Sequence, residues 1–142
     1  MVITALVLVL AIAWPVGLLI WANGRIQHVE ALVPGPATPG TTWLIAGSDG
    51  REDGTIPDGT EGARTDTVML LTKPKKGTPS LVSIPRDVVV QVDGRKMKLN
   101  AAYAVGGPQA LVASVQDLTG IGVDHYVEVK MGGVVNIVDA VG

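Results

Sequence analysis

The chain has 142 residues, of which 47% are hydrophobic and 17% are charged, so it accommodates one membrane segment and one modest domain. Its formal net charge is -2 and its eleven Lys and Arg residues are scattered, which excludes the basic surface that nucleic-acid binding requires. The absence of cysteine excludes disulfide bonds, zinc–thiolate sites and cysteine nucleophiles.

The first predicted element is an uncharged segment over residues 2–21. Twenty residues at the rise of an α-helix extend about 30 Å, which matches the thickness of a bilayer core. Pro15 is expected to kink or interrupt this helix. A signal peptide is the alternative, but it normally begins with a basic region and has a shorter apolar core. We therefore predict a single-pass transmembrane anchor over residues 1–22, although Arg25 taken alone would place the C-terminal side in the cytoplasm.

A Pro/Gly-rich segment follows the predicted anchor. The sequence "ALVPGPATPGTT" at residues 31–42 contains three prolines and two glycines, which disfavour both a helix and a central strand. Residues 23–41 are therefore predicted to be a tether, and residues 42–142 are predicted to be the globular part. About a hundred residues is near the usual size of a domain.

Short apolar runs bounded by Gly, Pro or Asp predict buried strands in the globular part. These runs are residues 42–47, 67–72, 80–84, 88–92 and 125–129. Helical signals lie between the last two runs, where Pro108 is suited to a first helical turn and Gly120 to a helix end. A shorter helical stretch is predicted at residues 101–105, and another helix at residues 132–142. The pattern predicts a layered α/β or α+β domain, and we expect α-β-α layering around a central mixed sheet.

Three polar clusters lie at the ends of predicted strands. "GSDGR" at residues 47–51 follows the first strand, "ARTDT" at residues 63–67 leads into the second, and "IPRD" at residues 84–87 follows the third. Converging strand ends of α/β domains are where ligands usually bind. Their convergence would bring together Asp49, Asp66, Asp87, Arg51, Arg64 and Arg86.

Carboxylates combined with arginines suit a hard divalent cation together with phosphate. Aspartate oxygens bind Mg²⁺, and planar guanidinium groups bind phosphoryl oxygens two at a time. The alternative is that these side chains form surface salt bridges, each worth about 0 to 1 kcal/mol. Spacing alone leaves both interpretations open.

Five blocks of the sequence resemble the LytR-CpsA-Psr family of cell-wall enzymes, in the same order, over residues 43–142. The blocks are "LIAGSDGR", "RTDTVMLL", "SIPRDVVVQV", "KLNAAYAVGGPQALVASVQDLTGIGVDHYVEV" and "GGVVNIVDAVG". The resemblance implies an anchor in the cell membrane and an extracytoplasmic catalytic domain, which takes precedence over the charge of Arg25. It also implies a phosphotransferase that moves a glycopolymer from a polyprenyl pyrophosphate carrier to a peptidoglycan hydroxyl through a phosphodiester bond.

The resemblance also assigns roles to the polar clusters. Asp49 and Asp66 match the family's Mg²⁺ ligands, and Arg64 and Arg86 match residues that clamp the pyrophosphate. Arg51 is expected to lie behind these two clamps within the phosphate-binding set. Metal and arginines would together neutralise the charge that develops in an in-line displacement.

Two further residues of the matched blocks have alternative roles. Asp87 either orients Arg86 or accepts the proton of the acceptor hydroxyl, and orientation is favoured because a carboxylate beside arginine has a low pKa. His125 matches the family pattern, but a single histidine beside a strand more often has a structural role. The apolar face of residues 111–118 is interpreted as core, with a slot for the polyprenyl tail as the alternative.

Family domains continue past the last matched block and contain further arginines there. We therefore expect the chain to be a fragment that turns over little or no substrate. Two other functions remain open: a Mg²⁺-dependent polyprenyl pyrophosphatase that uses the same residues with water as acceptor, and a non-enzymatic regulatory or binding protein anchored in the envelope.

Overall fold

The computed structural model describes residues 2–24, 26–48, 65–130, 133, 138–139 and 141. Its helices are α1 (Val2–Asn23) and α2 (Leu99–Thr119). Its strands are β1 (Thr41–Ser48), β2 (Thr65–Lys73), β3 (Ser80–Ile84), β4 (Val89–Val92), β5 (Arg95–Lys98) and β6 (His125–Lys130). The helix predicted over residues 132–142 lies mostly outside the described residues.

Helix α1 coincides with the uncharged N-terminal segment and contains Pro15 in its interior. Among the residues that the structure describes, no helix is both long enough and apolar enough to cross a membrane. The transmembrane anchor at residues 1–22 is thus not confirmed and stays a prediction.

The central sheet is mixed, as predicted, and has the strand order β3-β2-β1-β6. Strands β1, β2 and β3 pair antiparallel in chain order, whereas β6 pairs with β1 in parallel. A parallel neighbour requires a crossover, and here α2 lies in the connection that leads to β6. The crossover brings residues about 80 positions apart in the chain into register beside one another, for example Ala46 and Glu128.

Helix α2 consists of two helical parts separated by a break at Gly107, whose backbone has φ 63° and ψ -157°. Pro108 begins the second part, where its missing N–H leaves no helical hydrogen bond unmade. Gly120 ends the helix in the left-handed region with φ 68°, and its N–H donates to the carbonyl of Gln116 at 2.8 Å. Both predicted helical stretches and the predicted end of the second are confirmed.

The core lies against one face of the sheet. Buried residues alternate along β1, and the register places Leu44 opposite Leu70 and Ala46 opposite Val68. Side chains of α2 complete the same cluster, including Leu111, Val112 and Val115, which are fully buried. Burying each large aliphatic side chain stabilises the fold by about 1.5 to 3 kcal/mol, so this face is the main source of stability. The core interpretation of the α2 face is therefore correct for these residues.

Strands β4 and β5 form a separate hairpin, and β5 was not among the predicted strands. Asp93 and Gly94 form its turn with φ values of 49° and 77°, which is the two-residue turn that matches the twist of paired strands. The sequence "RKMK" of β5 hides the strand because it lacks apolar alternation. The hairpin meets the start of α2, where the N–H groups of Leu99 and Asn100 donate to the carbonyls of Val88 and Arg86.

Residues 31–40, within the predicted tether, pack on the end of α2, and we call them the docked segment. Ala31 is buried, and the Gln116 side-chain amide donates to the carbonyls of Val33 and Pro34 at 3.5 and 3.4 Å. Thr38 Oγ1 accepts a hydrogen bond from the Gly122 N–H at 3.2 Å. Because the docked segment is neither helix nor strand, these side-chain contacts supply partners for its backbone and hold it on the domain.

Candidate phosphate-binding site

A β-bulge presents Asp66 to solvent at the start of β2. Gly47 pairs with Thr67 but Ser48 pairs with Thr65, so Asp66 is an extra residue on its strand. Bulges of this kind turn a side chain away from the regular ladder and are common beside active sites. The Asp66 side chain is 42% exposed, and its Oδ1 contacts Arg86 Nη1 as a hydrogen-bonded ion pair. The structure therefore brings together the second and third polar clusters.

Arg86 and Asp87 occupy the centre of a tight turn that follows β3. The N–H of Val88 donates to the carbonyl of Pro85 at 3.1 Å, which closes the turn around them. Arg86 Nε lies 3.8 Å from Asp87 Oδ2. The turn thus holds a guanidinium group and a carboxylate side by side at the end of the sheet that carries the bulge, since Val68 of β2 pairs with Ile84 of β3.

Lys98 is a member of this cluster that the sequence analysis missed. Its Nζ donates to Asp87 Oδ1 at 2.6 Å. This hydrogen bond, together with the charge of Lys98, lowers the pKa of Asp87 below its ordinary value, and Arg86 adds a smaller contribution in the same direction. The signal that could have revealed Lys98 is the Asp-Gly turn, because a two-residue hairpin places Lys98 opposite Val89.

The four side chains form a row of alternating charge: Asp66, Arg86, Asp87 and Lys98. Their side chains are between 42% and 61% exposed. Exposed ion pairs stabilise a fold by about 0 to 1 kcal/mol, so stability alone gives little reason for this arrangement. The exposed guanidinium and ammonium groups are suited to an anionic ligand, and a guanidinium can bind two phosphoryl oxygens at once.

Asp49, Arg51 and Arg64 lie outside the described residues. The pairing of Asp49 with Asp66 around Mg²⁺, and of Arg64 with Arg86 around pyrophosphate, therefore stays a prediction. Within the described ranges, no group of three or more His, Cys, Asp or Glu side chains is arranged to hold a metal ion. Asp66 fits a Mg²⁺ ligand in its oxygen donors and its exposure, and its neighbour in the structure is Arg86.

A separate hydrogen-bonded group around Glu128 lies at the end of β1, directly before Asp49 in the sequence. Both oxygens of Glu128 on β6 accept hydrogen bonds, one from Ser48 at 2.6 Å and Tyr103 at 2.9 Å, the other from Tyr126 at 3.0 Å. Burial and, secondarily, the adjacent Glu128 carboxylate raise the pKa of Tyr126 above its ordinary value. The sequence analysis missed this cluster because Ser48 and Glu128 are 80 residues apart and only the parallel strand pairing makes them neighbours.

Two remaining features are His125 and the outer surface of α2. His125 is the first residue of β6, and its ring stacks on Trp43 with centroids 5.4 Å apart. A groove of about 270 Å³ lies between β4 and the last turns of α2. It is lined by Val89, Val90, Gln91, Ser114, Asp117 and Leu118.

The fold and the site together define a mixed α/β domain with exposed cations and carboxylates at converging strand ends. A model of the LytR_cpsA_psr family matches residues 23–142, and the chain belongs to this family. It is 46% identical over 137 residues to a Corynebacterium glutamicum protein named "Probable cell wall biosynthesis protein LcpB", covering 87% of this chain and 32% of that protein.

Two further relatives are named for what they act on or bind. The polyisoprenyl-teichoic acid–peptidoglycan teichoic acid transferase TagU of Halalkalibacterium halodurans is 42% identical over 102 residues, covering 70% of this chain and 32% of TagU. The structure of the family protein YwtF (TagT) with bound octaprenyl pyrophosphate lipid is similar at 28% identity and a TM-score of 0.59. That match covers 82% of this chain and 42% of TagT. The chain thus spans about a third of the length of the curated relatives it matches.

Proposed function

We propose that the protein containing this chain transfers a glycopolymer from a polyprenyl pyrophosphate carrier to peptidoglycan through a phosphodiester bond, in cell-wall assembly. Membership of the LytR_cpsA_psr family and the names of TagU and LcpB support a transferase of the cell wall. The octaprenyl pyrophosphate bound to TagT supports the class of donor. The observation that carries the proposal is the contact between Asp66 and Arg86, since it joins two matched sequence blocks in one exposed site.

In the proposed reaction, the oxygen of the acceptor hydroxyl attacks the phosphorus that carries the glycopolymer. The bond from that phosphorus to the bridging oxygen breaks, polyprenyl phosphate leaves, and the hydroxyl proton passes to solvent or to a nearby base. Arg86 would bind phosphoryl oxygens through two parallel N–H groups and stabilise the charge that develops on them. Bound Mg²⁺, held by Asp49 and Asp66, would supply further neutralisation of that charge.

Asp87 is suited to orienting cations rather than to accepting a proton. Its hydrogen bond from Lys98 lowers its pKa, and a carboxylate with a lowered pKa is a poor general base at neutral pH. We therefore assign Asp87 to holding Arg86, its neighbour in the turn, and Lys98 at the end of β5, where both cations can face the phosphates. Arg64 and Arg51 would complete the phosphate-binding set.

We further propose that the protein is anchored in the cell membrane by one N-terminal segment, with the catalytic domain outside the cytoplasm. The uncharged sequence of residues 2–21 supports an anchor, and a lipid-linked donor favours a site at the membrane surface. Membrane fractionation, followed by protease treatment of intact cells, tests this arrangement. Recovery of the protein in the soluble cytoplasmic fraction would contradict it.

The first experiment is a calorimetric titration of a polyprenyl pyrophosphate into the full-length protein, with and without Mg²⁺. Arg86→Ala removes charge-assisted hydrogen bonds worth about 1.5 to 3 kcal/mol, so the Kd should rise roughly 10- to 150-fold. Arg95→Ala is the matched control, because Arg95 is also an exposed arginine but lies at the far end of the β4–β5 hairpin. Equal binding by the wild type and Arg86→Ala would contradict the proposal.

Product analysis with a peptidoglycan acceptor then identifies the reaction. Polymer-linked peptidoglycan and polyprenyl phosphate are the products of transfer. Inorganic phosphate released from polyprenyl pyrophosphate in the absence of an acceptor would instead indicate a pyrophosphatase. Binding without any product would favour a non-enzymatic envelope protein.

A further inference from the structure

We propose that Glu128 is a positioning residue that fixes the end of β1 and, through the pairing of Ser48 with Thr65, the start of β2 that carries Asp66. The inference rests on the proposed transfer reaction for its functional consequence, but its structural basis is independent of it. Glu128 connects three elements, because Ser48 of β1, Tyr103 of α2 and Tyr126 of β6 all donate to its carboxylate.

The hydrogen bond between Ser48 and Glu128 is the contact through which β6 holds the end of β1. At 2.6 Å its length is that of an O–H group donating to an ionised carboxylate. Ser48 is only 2% exposed, so little water is available to replace Glu128 as its acceptor. Hydrogen bonds to charged groups contribute more than neutral ones, and an unpaired buried hydroxyl is costly. The last residue of β1 is therefore held firmly by a residue of β6.

The place of this cluster in the sheet indicates a function beyond packing. The buried face of β1 is apolar in the middle, at Leu44 and Ala46, and polar at both ends, at Thr42 and Ser48. Ser48 also pairs with Thr65 on the far side, directly beside the bulge that presents Asp66. The polar cluster thus lies between the apolar core and the strand ends that lead to the site.

A shift of the end of β1 would move Thr65, which pairs with Ser48, and with it the neighbouring Asp66 in the bulge. Catalysis by positioned charges depends strongly on such placement, and an error of about 1 Å can lower a rate by roughly 100-fold. Loss of the hydrogen bond between Ser48 and Glu128 should therefore lower kcat for transfer. The KM for the lipid pyrophosphate should change less than kcat, because the backbone of Arg86 is held by its own turn, which the Val88 N–H closes.

The test compares three variants of the full-length protein. Ser48→Ala removes the donor, and Glu128→Gln removes the charge at nearly the same volume. Asp124→Ala is the matched control: the Asp124 carboxylate accepts a hydrogen bond from the Thr42 N–H at 2.8 Å, and so ties the opposite end of β1 to the residue before β6. We expect kcat to fall about 10- to 100-fold in the first two variants and less than about twofold in the control.

The outcomes separate positioning from stability and from the proposed reaction. Two results would overturn the proposal. One is an equal loss of kcat in Ser48→Ala and Asp124→Ala when the two variants have the same unfolding midpoint, and the other is full activity of Ser48→Ala. If the wild type itself transfers nothing, the proposed function fails. Hydrogen–deuterium exchange of the peptide covering residues 47–52 then tests the hydrogen bond between Ser48 and Glu128 by itself. Faster exchange of that peptide in Ser48→Ala than in Asp124→Ala supports the positioning role of Glu128, and equal exchange overturns it.

Discussion

Gly122→Ala is expected to displace the docked segment from the end of α2. A Cβ atom at position 122 would lie 2.0 Å from the carbonyl oxygen of Pro36 and 3.3 Å from Thr38 Oγ1. Real Cβ atoms essentially never approach another atom within 3.0 Å, so the two backbones must separate by about 1 Å, which is the difference between 3.0 and 2.0 Å. The neighbour that must move is backbone, which has no alternative rotamer to adopt.

Three contributions set the size of the effect. The hydrogen bond from the Gly122 N–H to Thr38, already 3.2 Å long, would break, and its net worth is about 0.5 to 1.5 kcal/mol. Overpacking adds about 1 to 3 kcal/mol. Replacing glycine by alanine restricts the unfolded chain and offsets about 0.4 to 1 kcal/mol. The net expectation is a loss of about 0.5 to 4 kcal/mol in the free energy of unfolding.

Urea unfolding followed by circular dichroism measures this loss. With a typical slope near 2 kcal/mol per molar urea, the midpoint should fall by about 0.25 to 2 M. Gly133→Ala is the control, since among the described residues a Cβ there would meet Val129 Cγ1 at 4.0 Å, an ordinary contact. An unchanged midpoint for Gly122→Ala, or an equal change in both variants, would refute the packing of the docked segment on the domain.

Three further expectations concern charge, burial and pH. Lys98→Met should raise the pKa of Asp87 toward 3.8 in an NMR titration, because Lys98 is the main cause of the lowered pKa in the folded protein. The lowered pKa also means that any stability that Asp87 contributes is present above its unfolded pKa and is lost as the pH falls through its folded pKa. Tyr126 has a folded pKa above its ordinary value of 10.0, so stability should decline as the pH rises past about 10, and Tyr126→Phe should reduce that decline in urea midpoints. Leu111→Ala should lower the free energy of unfolding by about 2 to 5 kcal/mol, whereas Leu81→Ala, at a side chain 59% exposed, should change it much less; equal losses would contradict the assigned core.

Local signals in the sequence predicted most of the described elements. The run predicted at residues 80–84 coincides with β3, and the helix predicted after Pro108 ends at Gly120 as expected. These predictions succeed because apolar runs, proline and glycine act over a few residues, through backbone conformations that each residue type allows or forbids. Strand β5 was missed because its charged residues carry no apolar period, and its only local signal was the Asp-Gly turn before it.

The site was predictable in part. Asp66, Arg86 and Asp87 stood out as charged residues at strand ends, and the five-block resemblance indicated the family that the match over residues 23–142 then established. The sequence could not reveal that Asp66 lies on a bulge, because a bulge is defined by the pairing of two strands. For Lys98 the sequence offered only the Asp-Gly turn as a signal, and the contact with Asp87 itself follows from the register of the hairpin.

The sequence by itself thus determined the kinds of elements, the class of chemistry that Asp and Arg at strand ends suit, and the family. Only the tertiary structure decided which of these charges meet, that residues 31–40 pack on α2, and that Glu128 joins Ser48, Tyr103 and Tyr126. The reason is physical: local conformation depends on neighbours in the chain, whereas these contacts, apart from those between near neighbours such as Tyr126 and Glu128, join residues 11 to 84 positions apart. Their distances are set by strand register and by the parallel crossover that places β6 beside β1.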